Sequence, residues 1–157
     1  MTKTIISLIA ACLLAVGALA ADTTPVLQFR LIAEKPGADS EQMTQVTENR
    51  DHTVTNVFNV EKTVLLDEAA LKSASVRTDA RGHPVIDITF SETGTVQFAT
   101  VTRRNIGRQL GIVINGTLYS APYIRSTLSG GKAVISGSFS KAEAQDLAKR
   151  INSAITK

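Results

Sequence analysis

The segment running from Leu110 to Tyr119 constrains the fold more than any other stretch of this chain. An apolar run, Leu110-Gly-Ile-Val-Ile114, meets Thr117-Leu-Tyr119 across Asn115-Gly116. Asn and Gly tolerate the positive φ angles of a type I′ turn, whose twist matches that of the flanking strands. The pair therefore predicts a tight two-residue β-hairpin. Punctuation continues on both sides: Gly107 stops a helix, Pro122 bends the chain, and Gly130-Gly131 precedes a short strand at 133–136.

The elements around the hairpin follow from periodicity. Residues 26–32 alternate, with Leu27, Phe29 and Leu31 on one face and Gln28 and Arg30 on the other, which predicts a half-buried strand. Residues 33–53 turn polar around Pro36-Gly37 and read as an unusually long loop. Residues 57–66 include a strand, and 67–72 suggest a short helix with acids in its first turn. Strands at 75–79 and 85–90 flank the Arg81-Gly82 turn. Ser91 can cap a helix that runs to about Ile106. Ser140-Lys-Ala-Glu143 is a capping box opening a last helix, whose stripe is Ala144, Leu147, Ala148, Ile151 and Ile155. The order β-β-α-β-β-loop-β-α predicts an α+β fold, with an antiparallel or mixed sheet and helices packed on one face.

The first twenty-one residues read as an address. Lys3 precedes an apolar run over 5–16, and Ala18-Leu-Ala20 is a small-x-small cleavage site, so a secretory signal peptide is expected at 1–21. Its apolar run is shorter than the roughly 20 residues that cross a bilayer. Ile9-Ala-Ala-Cys12 is like a lipoprotein box, but the apolar run continues past Cys12, which argues against lipidation. Cleavage after Ala20 or Ala21 removes the only cysteine, and with it any disulfide or thiolate chemistry. The expected location is periplasmic or secreted. About 136 residues remain, enough for one domain with a real core and no transmembrane segment.

Charge is unevenly spread. Between Glu92 and Glu143 there is no acid, while Arg103, Arg104, Arg108, Arg125, Lys132 and Lys141 contribute six cations. Asp22 to Glu92 holds twelve acids against seven bases. The halves can neutralise each other in the fold, or the basic half can face anionic headgroups or acidic polypeptide.

No catalytic constellation emerges. His52 and His83 lie far apart in polar or turn segments, without the converging ligands a metal needs. Ser138-Phe-Ser-Lys141 matches a Ser-x-x-Lys pattern formally, but helix capping explains it better. Gly130-Gly131-Lys132 lacks phosphate-loop spacing, and Asn115-Gly-Thr117 is a turn before it is a sequon. With no Trp and two Tyr, no stacking platform for nucleic acid is expected. No cofactor and no metal are expected.

The combined pattern resembles a known family. Thr102-x-x-Asn105-x-Gly107, Leu110 to Gly116, Ser120-Ala-Pro122-x-Ile124, Gly130-Gly131 and Ile135-Ser-Gly137-Ser-Phe139 are similar to the head subdomain of the first periplasmic domain of SecD/SecDF, a protein-export membrane protein. Leu27 to Leu31, Val60 to Leu66 and Pro84 to Phe90 extend the likeness. The resemblance implies a ferredoxin-like, SecDF head-type α+β fold, divided as an N-terminal strand plus polar loop at 22–56 and a head-like domain at 57–157. Larger members place a base subdomain where this chain has its polar loop. Their proton-coupled activity resides in membrane helices, so the resemblance implies no motor here, and a stand-alone secreted chain.

The expected function is therefore a non-enzymatic periplasmic module that engages exported or unfolded polypeptide, or a translocon partner, with possible peripheral contact at the inner membrane. The candidate surface combines Tyr119, Tyr123 and Arg125 with Arg103, Arg104 and Arg108: aromatics offer contact area and arginines offer bidentate carboxylate contacts. The alternative is an inhibitor or assembly factor docking one folded envelope protein. A small hydrolase, built on distant residues such as Asp87 and His83, ranks last.

Overall fold

A computed structural model describes residues 25–49 and 52–156, so the expected leader lies outside the described residues. Strand β1 (Leu27–Leu31) sits at the centre. It pairs antiparallel with β4 (Leu66–Asp67) on one side and β7 (Leu110–Ile114) on the other, and β8 (Thr117–Ser120) continues the sheet as β4-β1-β7-β8. The predicted hairpin is present: Asn115 and Gly116 have φ of 48° and 77°. A second sheet runs β5 (Leu71–Thr78), β6 (Pro84–Phe90), β9 (Lys132–Ile135), again antiparallel. The α+β class holds, with antiparallel strands spread over three sheets.

The third sheet corrects one expectation. Residues 33–53 do not form a loop throughout: β2 (Ser40–Asn49) pairs over its whole length with β3 (His52–Glu61). The polar composition concealed a strand pair because most of its described side chains stay in solvent, while Thr and Val still suit a pleated ribbon. Its base covers the back of the central sheet, where Val60, Val113 and Leu118 are buried with Ile32, Met43 and Phe58 packed against them. For that reason β1 is buried on both faces, including Gln28 and Arg30, rather than half-buried.

Leu27, Phe29 and Leu31 face the main core, shared with Ile112, Ile114, Ile86, Ile88 and Phe90. Phe98 closes an aromatic group, its ring 4.4 Å from Phe90 and 5.6 Å from Phe29. Helix α1 (Glu92–Arg104) starts where predicted, with the Ser91 hydroxyl accepting from the Gly94 amide. Gly94 is required by close approach, since a Cβ there would lie 1.9 Å from the Ala70 carbonyl oxygen. Ala70 ends a 3-10 turn, Glu68–Ala70, which replaces the helix expected at 67–72. Helix α2 (Lys141–Ile155) buries Ala144, Leu147, Ala148 and Ile151 as its stripe foretold.

Candidate functional site

Residues 122–128 bring part of the predicted surface together. The Gly107 amide donates to the Ile124 carbonyl and the Ile124 amide to the Arg108 carbonyl, both at 2.8 Å. Gln109 bridges Tyr123, and the Leu128 amide donates to Thr102 Oγ1 at 3.0 Å. These bonds zip the segment onto the end of α1 and the chain after it. Tyr123, Arg125, Arg103 and Arg104 are left exposed around that seam, with Tyr123 at 61%.

Arg108 and Tyr119 are engaged within the fold. Arg108 pairs with Glu61 of β3 and reaches the Ile32 carbonyl at 3.4 Å. Tyr119 stacks on Phe139 with ring centroids 5.0 Å apart, and its hydroxyl donates to Glu143 at 3.0 Å. Burial, then that hydrogen bond, pushes its hydroxyl pKa up to about 12. The contact also redirects Glu143, whose amide is capped by Ser140 while its carboxylate serves Tyr119.

Between residues 122–128 and β9 lies a cleft of about 370 Å³. Its lining includes core residues Phe29, Phe98 and Ile112, and its mouth carries Tyr123, Leu128 and Val134 with Arg125 and Lys132. None of its lining residues is acidic. An apolar cavity with a few charged groups at its mouth suits an apolar side chain carried on a polar backbone. Sequence reasoning did not propose Leu128 or Val134 as site residues, and Lys132 entered it only as one of the six cations of the basic half. The available signal was the short strand after Gly130-Gly131, whose exposed valine carried no periodic partner.

Of the pair named for a hydrolase, Asp87 is engaged by a neighbouring arginine, while the His83 side chain is 70% exposed. Asp87 accepts from Arg77 Nε at 2.6 Å. His83 sits at a turn where Asp79 Oδ1 accepts from the Arg81 and His83 amides at 2.9 and 2.8 Å, and these contacts, the His83 amide foremost, hold the Asp79 carboxyl below its usual range. Among the described residues no group of three or more His, Cys, Asp or Glu could hold a metal ion. No described helix is long and apolar enough to cross a membrane.

Comparison with known proteins agrees with this architecture. The family described as SecDF, P1 head subdomain, matches residues 39–155. Protein translocase subunit SecDF of Thermus thermophilus is 37% identical over 133 residues, covering 78% of this chain and 18% of that protein. Protein translocase subunit SecD of Sebaldella termitidis is 46% identical over 84 residues, covering 54% of this chain and 21% of that protein. A solved structure of SecDF, a membrane component that enhances protein export, superposes with a TM-score of 0.64 at 30% identity, covering 82% of this chain and 62% of that one. SecDF in its super-membrane-facing form gives 0.65 at 31% identity, covering 82% and 19%. The chain thus spans about a fifth of the length of these translocase subunits. With a family match over most of its described residues and the same fold, this chain belongs to the SecDF P1 head family.

Proposed function

We propose that this chain is a non-enzymatic binding module that engages exported or unfolded polypeptide in the periplasm, in association with protein export. The observation that carries this reading is the apolar cleft beside Tyr123, open to solvent and rimmed by Arg125 and Lys132. Family membership supports the export context, and the leader-like residues 1–21 support the compartment. Unfolded chains expose apolar side chains that a folded protein hides, so a lined cleft with cationic edges discriminates them by burial and charge together.

Site-specific photocrosslinking in the native periplasm tests the reading. A probe at Tyr123 is expected to capture many exported chains, while a probe at Val46, on the far ribbon, captures few. One dominant adduct would instead indicate a dedicated folded partner. Absence of adducts at Tyr123, together with no suppression of client aggregation, would remove the basis for polypeptide binding.

A further inference from the structure

The two edges of the β5-β6-β9 sheet differ. On β5, Ala74 is closed by a side chain: its amide donates to Asn152 Oδ1 at 2.8 Å, and its carbonyl accepts from Asn152 Nδ2 at 2.7 Å. On β9 no described strand pairs beyond β6. The register sets which groups are open. The Phe90 amide donates to the Gly131 carbonyl, and Ile88 faces Ala133, so Gly131, Ala133 and Ile135 direct their backbone groups at β6. By alternation, the amides and carbonyls of Lys132 and Val134 point away from β6. Both residues also line the apolar cleft.

We propose that β9 is an acceptor edge: an extended polypeptide segment pairs with Lys132 and Val134 as an added strand and places an apolar side chain in the cleft. The inference rests on the polypeptide-binding reading and specifies its mode. Main-chain pairing supplies affinity without sequence preference, and the pocket selects alternate side chains. Charge narrows the occupant further. Arg125 and Lys132 stand at the mouth without a lining carboxylate, so a segment alternating apolar residues with Asp or Glu fits better than a basic one. Gly130-Gly131 and a strand of only four residues keep this edge short, as soluble proteins do with edges left open.

Proline at 134 separates strand pairing from other modes. Proline lacks an amide hydrogen and is tolerated on edge strands where that amide faces outward, so Val134→Pro removes a docking donor and leaves the β6 ladder whole. The probe is a fluorescein-labelled ten-residue peptide of alternating Val and Glu, followed by anisotropy with the full chain. Wild type is expected to bind saturably. Val134→Pro should weaken binding by about tenfold, the scale of one hydrogen bond, while Val134→Ala stays within about threefold. Arg125→Glu with Lys132→Glu should weaken the acidic peptide and favour a Val-Lys counterpart.

Should Val134→Pro perturb the circular dichroism, the same peptide N-methylated on alternate amides makes the equivalent test on folded wild type, and one of its two methylation registers should lose binding. Equal binding by Val134→Pro, or by both N-methylated registers, overturns strand addition. Tyr123 crosslinks persisting in that case would leave polypeptide binding standing in another mode. Association with phosphatidylglycerol vesicles but not with peptide overturns the inference in favour of a membrane surface.

Discussion

The β7–β8 and β2–β3 hairpins show two ways of holding a strand pair. In the first, a positive-φ Asn-Gly turn joins short strands, and all five residues of β7 are buried. In the second, each strand has ten residues, yet among its described side chains the ribbon contributes one that is fully buried, Val60, together with partly buried Met43 and Phe58. A two-stranded ribbon alone is marginal in water. Here its base is tied to the sheet by charge: Arg30 pairs with Glu41 at 2.7 Å and its Nε donates to the Glu61 carbonyl at 2.5 Å, while Arg108 takes the Glu61 carboxylate. The lesson is that one hairpin is fastened by packing and the other by polar contacts at its base, joined farther along by Gln45 Nε2 donating to the Tyr119 carbonyl at 3.0 Å.

The largest expected effect should break the packed hairpin. Ile114 is fully buried, and Ile114→Ala should cost about 2–5 kcal/mol in urea denaturation, whereas Val57→Ala on the ribbon should stay within about 0.5 kcal/mol. Comparable costs at both positions would erase the contrast. Arg30→Met comes next, at about 1–3 kcal/mol, because it removes charged hydrogen bonds but leaves Glu41 hydrated. Amide exchange should speed up in β2 and β3 before β7, and uniform acceleration would show that the ribbon is not attached independently. Gly116→Ala should cost about 1–2 kcal/mol by placing a Cβ at positive φ, and a silent substitution would mean that the turn is not what fastens β7 to β8.

The smallest effect sharpens how the end of β8 is held. The Tyr119 hydroxyl titrates at about 12 in the fold, above the usual 10. Its contribution is therefore whole below pH 10 and is lost as pH rises from there through about 12, because the unfolded chain ionises first. Tyr119→Phe keeps the stack on Phe139, lowers neutral-pH stability by about 1 kcal/mol and flattens that alkaline decline. Urea midpoints across the alkaline range check both, and an equally steep decline in the variant assigns the loss to another group.

Legibility followed the range of the interactions. Ser91 and Ser140 announced their helices because each cap closes onto an amide three residues away. Residues 40–49 read as loop because their ladder partner is β3, and pairing along a solvated ribbon leaves no apolar alternation to see. Arg108 carried no mark of its attachment to Glu61, which lies far upstream in sequence. The candidate site divides likewise: residue type alone points to Tyr123 and Arg125, but the cleft they border includes Phe29 and Ile135, which are far apart in the chain.

The sequence by itself determined the α+β class, the Asn115-Gly116 turn, both helix starts and the family pattern, since these depend on φ preference, capping and periodicity within a few residues. Tertiary structure alone decided that Arg30 is buried, that Asn152 closes one sheet edge and that β9 leaves the other open beside a cleft. Those outcomes depend on which distant surfaces meet, and burial and free hydrogen-bonding groups exist only once they have met.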